Sequence, residues 1–224
     1  MCLHELYSML RDTRPVKLVG FLGVAGLALA ANYGDQFQIV LVASATIPLV
    51  FLMVIPRHDR TNVTISMAIT LLGVFWVGLA IATAVLLRKT PHGDAIIVDI
   101  LVGTFVGDTG AYFGGRMFGQ RPLAQRISPN KTLEGLLAGF VTAIAATWFA
   151  GLYQDWLSGT DALLLGLGVA IAAPLGDLFE SMIKRDAATK DTGRMFGAHG
   201  GALDRLDAVL FTIPVGYYIW LAIM

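Results

Sequence analysis

Long apolar runs are the feature of this sequence that most limits its fold. Seven can be drawn, and several approach the roughly 20 residues that a helix needs to cross a bilayer. Only 14% of the residues are charged, whereas water-soluble domains carry about a quarter. We therefore expect an all-α, polytopic membrane bundle of about seven transmembrane helices. The apolar runs are 18–31, 37–55, 63–87, 95–107, 133–153, 162–183 and 208–224.

Two details of these runs bear on how the helices pack. The run 95–107 is short and contains Asp99, which favours a half-span or a tilted helix packed inside the protein. Glycines spaced at four, such as Gly135 and Gly139, predict close approach between helices.

The basic residues indicate an orientation. With seven spans, fourteen of the sixteen lysines and arginines fall on the same side as the N-terminus. The excess predicts that this side is cytoplasmic. We expect a multi-pass protein of the inner (cytoplasmic) membrane whose polar loops face the cytoplasm.

Composition excludes some kinds of site and partner. The single cysteine, Cys2, permits neither an intramolecular disulfide nor a cysteine-based zinc site. The net charge of zero gives no indication of a nucleic-acid partner.

Four polar clusters interrupt the C-terminal half, at 107–119, 128–135, 176–185 and 190–207. In the third, a helix would place polar residues on one face, because their spacing is i, i+3, i+4 and i+7. Ionised groups facing lipid cost about 3 kcal/mol or more each, so this face should turn toward protein or water. An interhelical salt bridge at the membrane edge is the alternative. The residues are Asp177, Glu180, Ser181 and Lys184.

The fourth cluster ends in two carboxylates one helical turn apart, Asp204 and Asp207. Such a pair is a typical ligand set for Mg²⁺, which is often held by one or two carboxylates and substrate phosphates. The preceding glycines, Gly200 and Gly201, supply backbone that can approach an anion closely. A helix beginning near Ala202 would point its positive end at the same place.

Cations surround these acids in the sequence. Carboxylates for a metal, several cations and glycine backbone together predict phosphoryl or nucleotidyl transfer, which depends on positioning and charge neutralisation. A loop that only sets membrane topology would explain the cations but not the acids beside them. The cations are Lys131, Lys184, Arg185, Lys190 and Arg205.

The C-terminal clusters resemble the phosphatidate cytidylyltransferase family. That family's pattern is S-x-x-K-R-x4-K-D-x-G-x5-H-G-G-x-x-D-R-x-D, and all twelve fixed positions match. Ala202 and the pair Gly197-Ala198 depart from residues usual in the family, but no charged group is missing. The matching residues are Ser181, Lys184, Arg185, Lys190, Asp191, Gly193, His199, Gly200, Gly201, Asp204, Arg205 and Asp207.

The resemblance implies a reaction in which CTP and phosphatidate of the bilayer form CDP-diacylglycerol and pyrophosphate, with Mg²⁺ as the cofactor. A second metal ion or a monovalent cation at the site is left open. It divides the chain into N-terminal transmembrane helices, 1–98, and a catalytic transmembrane region, 99–224. A homodimer is also left open. The implied metal ligands are Asp108, Asp177, Asp204 and Asp207. The implied catalytic residues are Lys184, Arg185, Lys190, Asp191, His199 and Arg205. The implied substrate-binding residues are Ser128, Lys131, Ser181, Gly200 and Gly201.

Two other functions compete with this interpretation. A CTP-dependent lipid kinase of the dolichol-kinase type would transfer the γ-phosphate, and its nucleotide product would be CDP. A transporter would carry broken helices in two similar halves, but the charged motifs here crowd into one half.

Overall fold

The computed structural model describes residues 1–189, 191–193 and 200–224, and most of these are helical. A 3₁₀ turn at Arg11–Thr13 and a π-helical turn at Val74–Gly78 supplement ten α-helices and one hairpin in this part of the chain. The α-helices are α1 (Cys2–Met9), α2 (Lys17–Tyr33), α3 (Gln36–Val54), α4 (Val63–Gly73), α5 (Leu79–Arg88), α6 (Gly93–Phe118), α7 (Leu133–Gly151), α8 (Gly159–Asp186), α9 (Leu203–Leu206) and α10 (Val209–Ile223). The strands are β1 (Pro122–Ala124) and β2 (Ser128–Thr132), which pair antiparallel between α6 and α7.

The predicted polytopic helical membrane architecture is confirmed. Within the described residues, six helical stretches are long and apolar enough to cross a membrane. Helix α2 is also apolar but has only 17 residues, so it is about 25 Å long at 1.5 Å per residue. The six stretches are Gln36–Val54, Val63–Arg88, Gly93–Phe118, Leu133–Gly151, Gly159–Asp186 and Leu203–Ile223.

The run 95–107 is not the half-span that its length suggested. It belongs to α6, which has 26 residues and continues through the polar cluster 107–119 as far as Phe118. The glycines of that cluster do not end the helix because α7 packs closely against them. Asp108 and Arg116 therefore project from a helix and not from a loop.

The chain divides into two compact units. The first comprises Met1–Leu86 and Asp186–Leu206, and the second comprises Leu87–Arg185 and Asp207–Met224. The boundary predicted between residues 98 and 99 falls inside α6, all of which belongs to the second unit.

In the first unit, the short helix α1 is anchored by apolar packing. Leu3, Leu6 and Tyr7 are buried, and the Tyr7 hydroxyl donates to the Thr70 carbonyl at 2.7 Å. The Tyr7 ring lies against Gly20, where a Cβ would overlap it. Helix α1 therefore has a fixed position against α4.

The second unit is built on close packing between α6 and α7. A Cβ at Gly107 would lie 2.8 Å from the Ala143 Cβ, and one at Gly139 would lie 2.8 Å from the Ala111 Cβ. Small residues at such positions let membrane helices approach through their backbones. The predicted packing role of Gly139 is confirmed, and the same holds for Gly135, whose Cβ would lie 2.8 Å from the Ala111 carbonyl oxygen.

The hairpin that joins these two helices is held at its base by Glu134. The Glu134 carboxylate accepts the backbone N–H groups of Gln120 and Arg121, at 3.0 and 3.2 Å. The Thr132 hydroxyl caps α7 by accepting the N–H of Gly135 at 3.1 Å. These contacts fix the position of the hairpin relative to the end of α6 and the start of α7.

Asp99, the acid inside the run 95–107, is buried in the second unit. Its two carboxylate oxygens both accept from Gln154 Nε2, at 2.9 Å each. The hydrogen bonds account for its burial, with only 1% of the residue exposed.

Candidate active site

One face of α8 carries four polar side chains, as the spacing in the sequence predicts. Lys184 Nζ lies 2.7 Å from Glu180 Oε2, one turn away. Ser181 Oγ donates to Asp177 Oδ1 at 3.5 Å. The Glu180 side chain is 1% exposed and that of Lys184 is 16% exposed. This face is therefore turned into the protein, where ionised groups avoid the cost of facing lipid.

The hairpin brings a second lysine to this face. Lys131, on β2, forms an ion pair with Asp177 on α8, and both side chains are partly exposed. Arg185 Nε donates to the carbonyl oxygen of Ile127 at 3.0 Å, which ties the hairpin to the end of α8. The ion pair thus joins two anchored elements.

Asp108 contributes a carboxylate from α6. It interacts electrostatically with the carboxylates of Asp177 and Asp207 and with the ammonium group of Lys131. Three acids from separate segments are therefore near one another in the second unit. Their mutual repulsion is offset in part by the lysine.

Asp207 reaches the same place from the segment before α10. It interacts electrostatically with Asp177 and Lys184. The approach depends on Gly176, because a Cβ there would collide with the Asp207 carbonyl oxygen. We call the six residues the carboxylate cluster: Asp108, Lys131, Asp177, Glu180, Lys184 and Asp207.

The donors of the carboxylate cluster suit Mg²⁺, which prefers oxygen ligands, and they offer neither thiol nor imidazole. Within the described part of the chain, however, no three His, Cys, Asp or Glu side chains already converge on one point. Asp177 is paired with Lys131. The donor chemistry therefore fits Mg²⁺.

A second group of predicted residues lies in the first unit. The Asp204 carboxylate accepts the N–H of Gly201 at 2.6 Å and that of Thr192 at 3.1 and 3.2 Å. Gly200 has φ of +81°, a left-handed conformation that glycine adopts at little cost. Asp204 thus ties together the two described stretches on either side of residues 194–199.

Glu5 is part of this group, and sequence reasoning missed it. Its carboxylate accepts the N–H groups of Ala202 at 2.9 Å and Leu203 at 2.8 Å. The backbone donors expected at a helix start near Ala202 are therefore already bonded to a carboxylate. No local pattern in the sequence marks it, because its partners lie 197 and 198 positions away.

Sequence comparison identifies the family. A family model described as the cytidylyltransferase family matches residues 1–223. The chain belongs to the cytidylyltransferase family. The resemblance seen in the C-terminal motifs is thereby confirmed.

Three curated relatives of this cytidylyltransferase-family chain bear the name phosphatidate cytidylyltransferase. The protein of Pseudomonas aeruginosa is 40% identical over 155 residues, covering 67% of this chain and 55% of its own length. That of Helicobacter pylori strain J99 is 45% identical over 121 residues, covering 53% and 44%. That of Haemophilus influenzae is 34% identical over 138 residues, covering 59% and 48%. The chain thus spans about half the length of the curated relatives it matches.

The remaining predicted residues of this cytidylyltransferase-family chain have varied surroundings. Ser128 begins β2 and is half-buried, whereas Asp191 and Arg205 are exposed. Lys190 and His199 lie outside the described residues. The roles assigned from the sequence to these residues stay predictions.

Proposed function

We propose that this protein is a phosphatidate cytidylyltransferase. The observation that carries the proposal is the carboxylate cluster, because it combines acids and lysines on membrane helices of a cytidylyltransferase-family chain. Membrane helices suit a substrate that resides in the bilayer, and a charged cluster suits one that carries a triphosphate.

The proposed reaction joins the phosphate of phosphatidate to the α-phosphorus of CTP. A phosphate oxygen of the lipid attacks this phosphorus, the bond to the β-phosphate bridging oxygen breaks, and pyrophosphate leaves. The attacking phosphate is already anionic near neutral pH. The chain therefore has no need of a strong general base.

The lysines of the cluster would neutralise phosphate charge. Lys131 lies on the hairpin and is partly exposed, so it can exchange Asp177 for a phosphate oxygen without leaving a buried charge unpaired. Lys184 is held by Glu180 and is more buried, which favours a fixed position over a mobile one. Preorganised cations of this kind stabilise charge that develops during transfer.

Magnesium would bind through carboxylates of the cluster, with Asp108, Asp177 and Asp207 as the proposed ligands and Asp204 as the ligand proposed from the sequence. The bound ion would neutralise triphosphate charge and orient the α-phosphate.

We further propose that the cluster faces the cytoplasm from a bacterial-type inner membrane. The support is the excess of lysine and arginine in the polar loops that fall on the same side as the hairpin. CTP is a water-soluble cytoplasmic nucleotide, which agrees with this orientation.

Product analysis tests the proposal. Purified full-length protein is incubated with phosphatidate vesicles, Mg²⁺ and CTP labelled at either the α- or the γ-phosphate. We expect α-label in a lipid product and γ-label in pyrophosphate. Transfer of γ-label to lipid with release of CDP would instead identify a lipid kinase, and the absence of any CTP turnover would overturn the enzyme proposal.

A further inference from the structure

Glu5 makes an unusual set of contacts for a residue so far in sequence from the motifs. Its Oε1 accepts the N–H of Ala202 at 2.9 Å, and its Oε2 accepts that of Leu203 at 2.8 Å. The Thr192 hydroxyl also donates to Oε2, at 3.3 Å. With 8% of the residue exposed, Glu5 is a buried carboxylate whose partners among the described residues belong to the C-terminal motif segment.

Two motif glycines make room for this carboxylate. A Cβ at Gly193 would lie 3.0 Å from Glu5 Oε1, and a Cβ at Gly201 would overlap Glu5 Oε2. Among the described glycines only Gly200 has a positive φ, so neither Gly193 nor Gly201 is required for its backbone conformation. The physical reason for glycine at these two positions is the space that Glu5 occupies.

Glu5 is also firmly held from its own side. It lies on α1 between buried residues, and α1 is attached to α4 through the hydrogen bond from Tyr7 to the Thr70 carbonyl. Moving Glu5 away would expose Leu3, Leu6 and Tyr7, whose burial stabilises the position of α1. This anchoring favours a Glu5 that stays in place during the reaction. It argues against a Glu5 that occupies a phosphate site and leaves when the substrate binds.

Glu5 and Asp204 act on the same short segment. Asp204 accepts the N–H of Gly201, while Glu5 accepts the next two N–H groups along the chain. Charge-assisted hydrogen bonds to backbone N–H groups are about twice as strong as neutral ones. The two carboxylates therefore fix residues 201–203, from which Asp204 and Arg205 extend.

We propose that Glu5 is a positioning residue for cytidylyl transfer, acting by fixing the segment that carries Asp204 and Arg205. The inference rests on the proposed function and gives a role in it to a residue of α1. It also implies that the N–H groups of Ala202 and Leu203 serve the fold and do not bind substrate phosphate.

The test compares Glu5→Ala and Glu5→Gln with Asp12→Asn in the full-length protein. Asp12 is a matched control, because it is also an N-terminal acid but its side chain is fully exposed, and its ion pair with Arg11 is long, at 3.9 Å. We measure kcat, the KM values for CTP and phosphatidate, the thermal midpoint, and hydrogen exchange of the backbone amides at 202 and 203.

We expect kcat of Glu5→Ala to fall roughly 10- to 100-fold, the range seen when residues supporting a ligand shell are lost. Glu5→Gln should recover part of this loss, because its amide oxygen can still accept one N–H. Both variants should show faster exchange at 202 and 203, whereas Asp12→Asn should match the wild type in every measurement.

Three results would overturn the inference. One is a lower thermal midpoint with unchanged kcat per folded molecule, which would show a structural role alone. Another is a gain in CTP affinity, which would show that Glu5 occupies a phosphate site. The third is unchanged exchange at 202 and 203. If the wild type itself forms no CDP-lipid, the proposed function is wrong. If the wild type is active and the Glu5 variants match it, only the inference about Glu5 is wrong.

Discussion

Lys131 and Asp177 form an ion pair that links the hairpin between α6 and α7 to the polar face of α8. Both side chains keep part of their surface exposed, at 26% and 35%. Solvent screening makes such a pair a modest contributor to stability, so its value lies in placing a cation beside a carboxylate.

Replacing Lys131 by glutamine should therefore impair catalysis more than folding. We expect kcat/KM to fall about 100- to 1,000-fold, as when one preorganised donor is removed from a charged transition state. The thermal midpoint in detergent should change little. Arg126→Gln is the matched control, since Arg126 is an exposed cation on the same hairpin. Equal activity in the two variants would remove Lys131 from the proposed site.

Asp207→Asn tests the proposed metal ligands. We expect the variant to need a higher Mg²⁺ concentration for half-maximal activity, because one anionic oxygen donor is lost. Chelation by EDTA should abolish wild-type activity, and added Mg²⁺ should restore it. Activity is assayed over a magnesium titration with fixed CTP. An unchanged magnesium dependence in Asp207→Asn would exclude this carboxylate as a ligand.

Gly107→Ala should weaken the packing of α6 on α7. The new Cβ would lie 2.8 Å from that of Ala143, which is closer than carbon atoms tolerate. Overpacking of this kind typically costs about 1–3 kcal/mol, and thermal unfolding in detergent should report it. Gly159→Ala is the control, because its Cβ would meet Trp148 at an ordinary 3.4 Å. Equal thermal unfolding midpoints for Gly107→Ala and Gly159→Ala would contradict the close packing of α6 on α7.

Tyr7→Phe tests the anchoring of α1. Loss of the hydrogen bond to the Thr70 carbonyl should cost about 1 kcal/mol. Burial raises the pKa of the Tyr7 phenol in the folded state. Near pH 10 the phenol therefore ionises in the unfolded chain but stays neutral in the folded protein. The stability linked to Tyr7 is therefore constant below about pH 10 and falls as the pH rises further. Chemical denaturation at pH 8 and pH 10.5 measures the free energy of unfolding. Between these two pH values it should fall less in Tyr7→Phe than in the wild type.

Cysteine labelling tests the proposed orientation. In a Cys2→Ser background, Gln125→Cys marks the hairpin loop, and Asp155→Cys marks the exposed loop between α7 and α8. A membrane-impermeant thiol reagent applied to intact spheroplasts should label position 155 and reach position 125 only after lysis. The reverse pattern would place the hairpin outside the cytoplasm.

The sequence predicted best the features that depend on residue spacing or on the length of a single segment. The helical spacing of Asp177, Glu180 and Lys184 foretold one buried polar face, and apolar run length foretold the membrane architecture. It failed at 95–107, because the length of the apolar run was taken as the length of the helix. Close packing of α7 lets α6 continue through the glycines of the polar cluster 107–119. Glu5 was beyond reach for another reason. Its partners are set by the tertiary fold, and nothing local distinguishes it from any other acid on a short helix.

Gly176 has a mechanical consequence for the carboxylate cluster. Because it has no side chain, the backbone at Asp207 rests almost directly on the backbone of α8. The separation between the main chains that carry Asp177 and Asp207 is thus set by backbone contact, which no side-chain rotation can widen. Any change in this separation therefore requires the segment before α10 to move relative to α8.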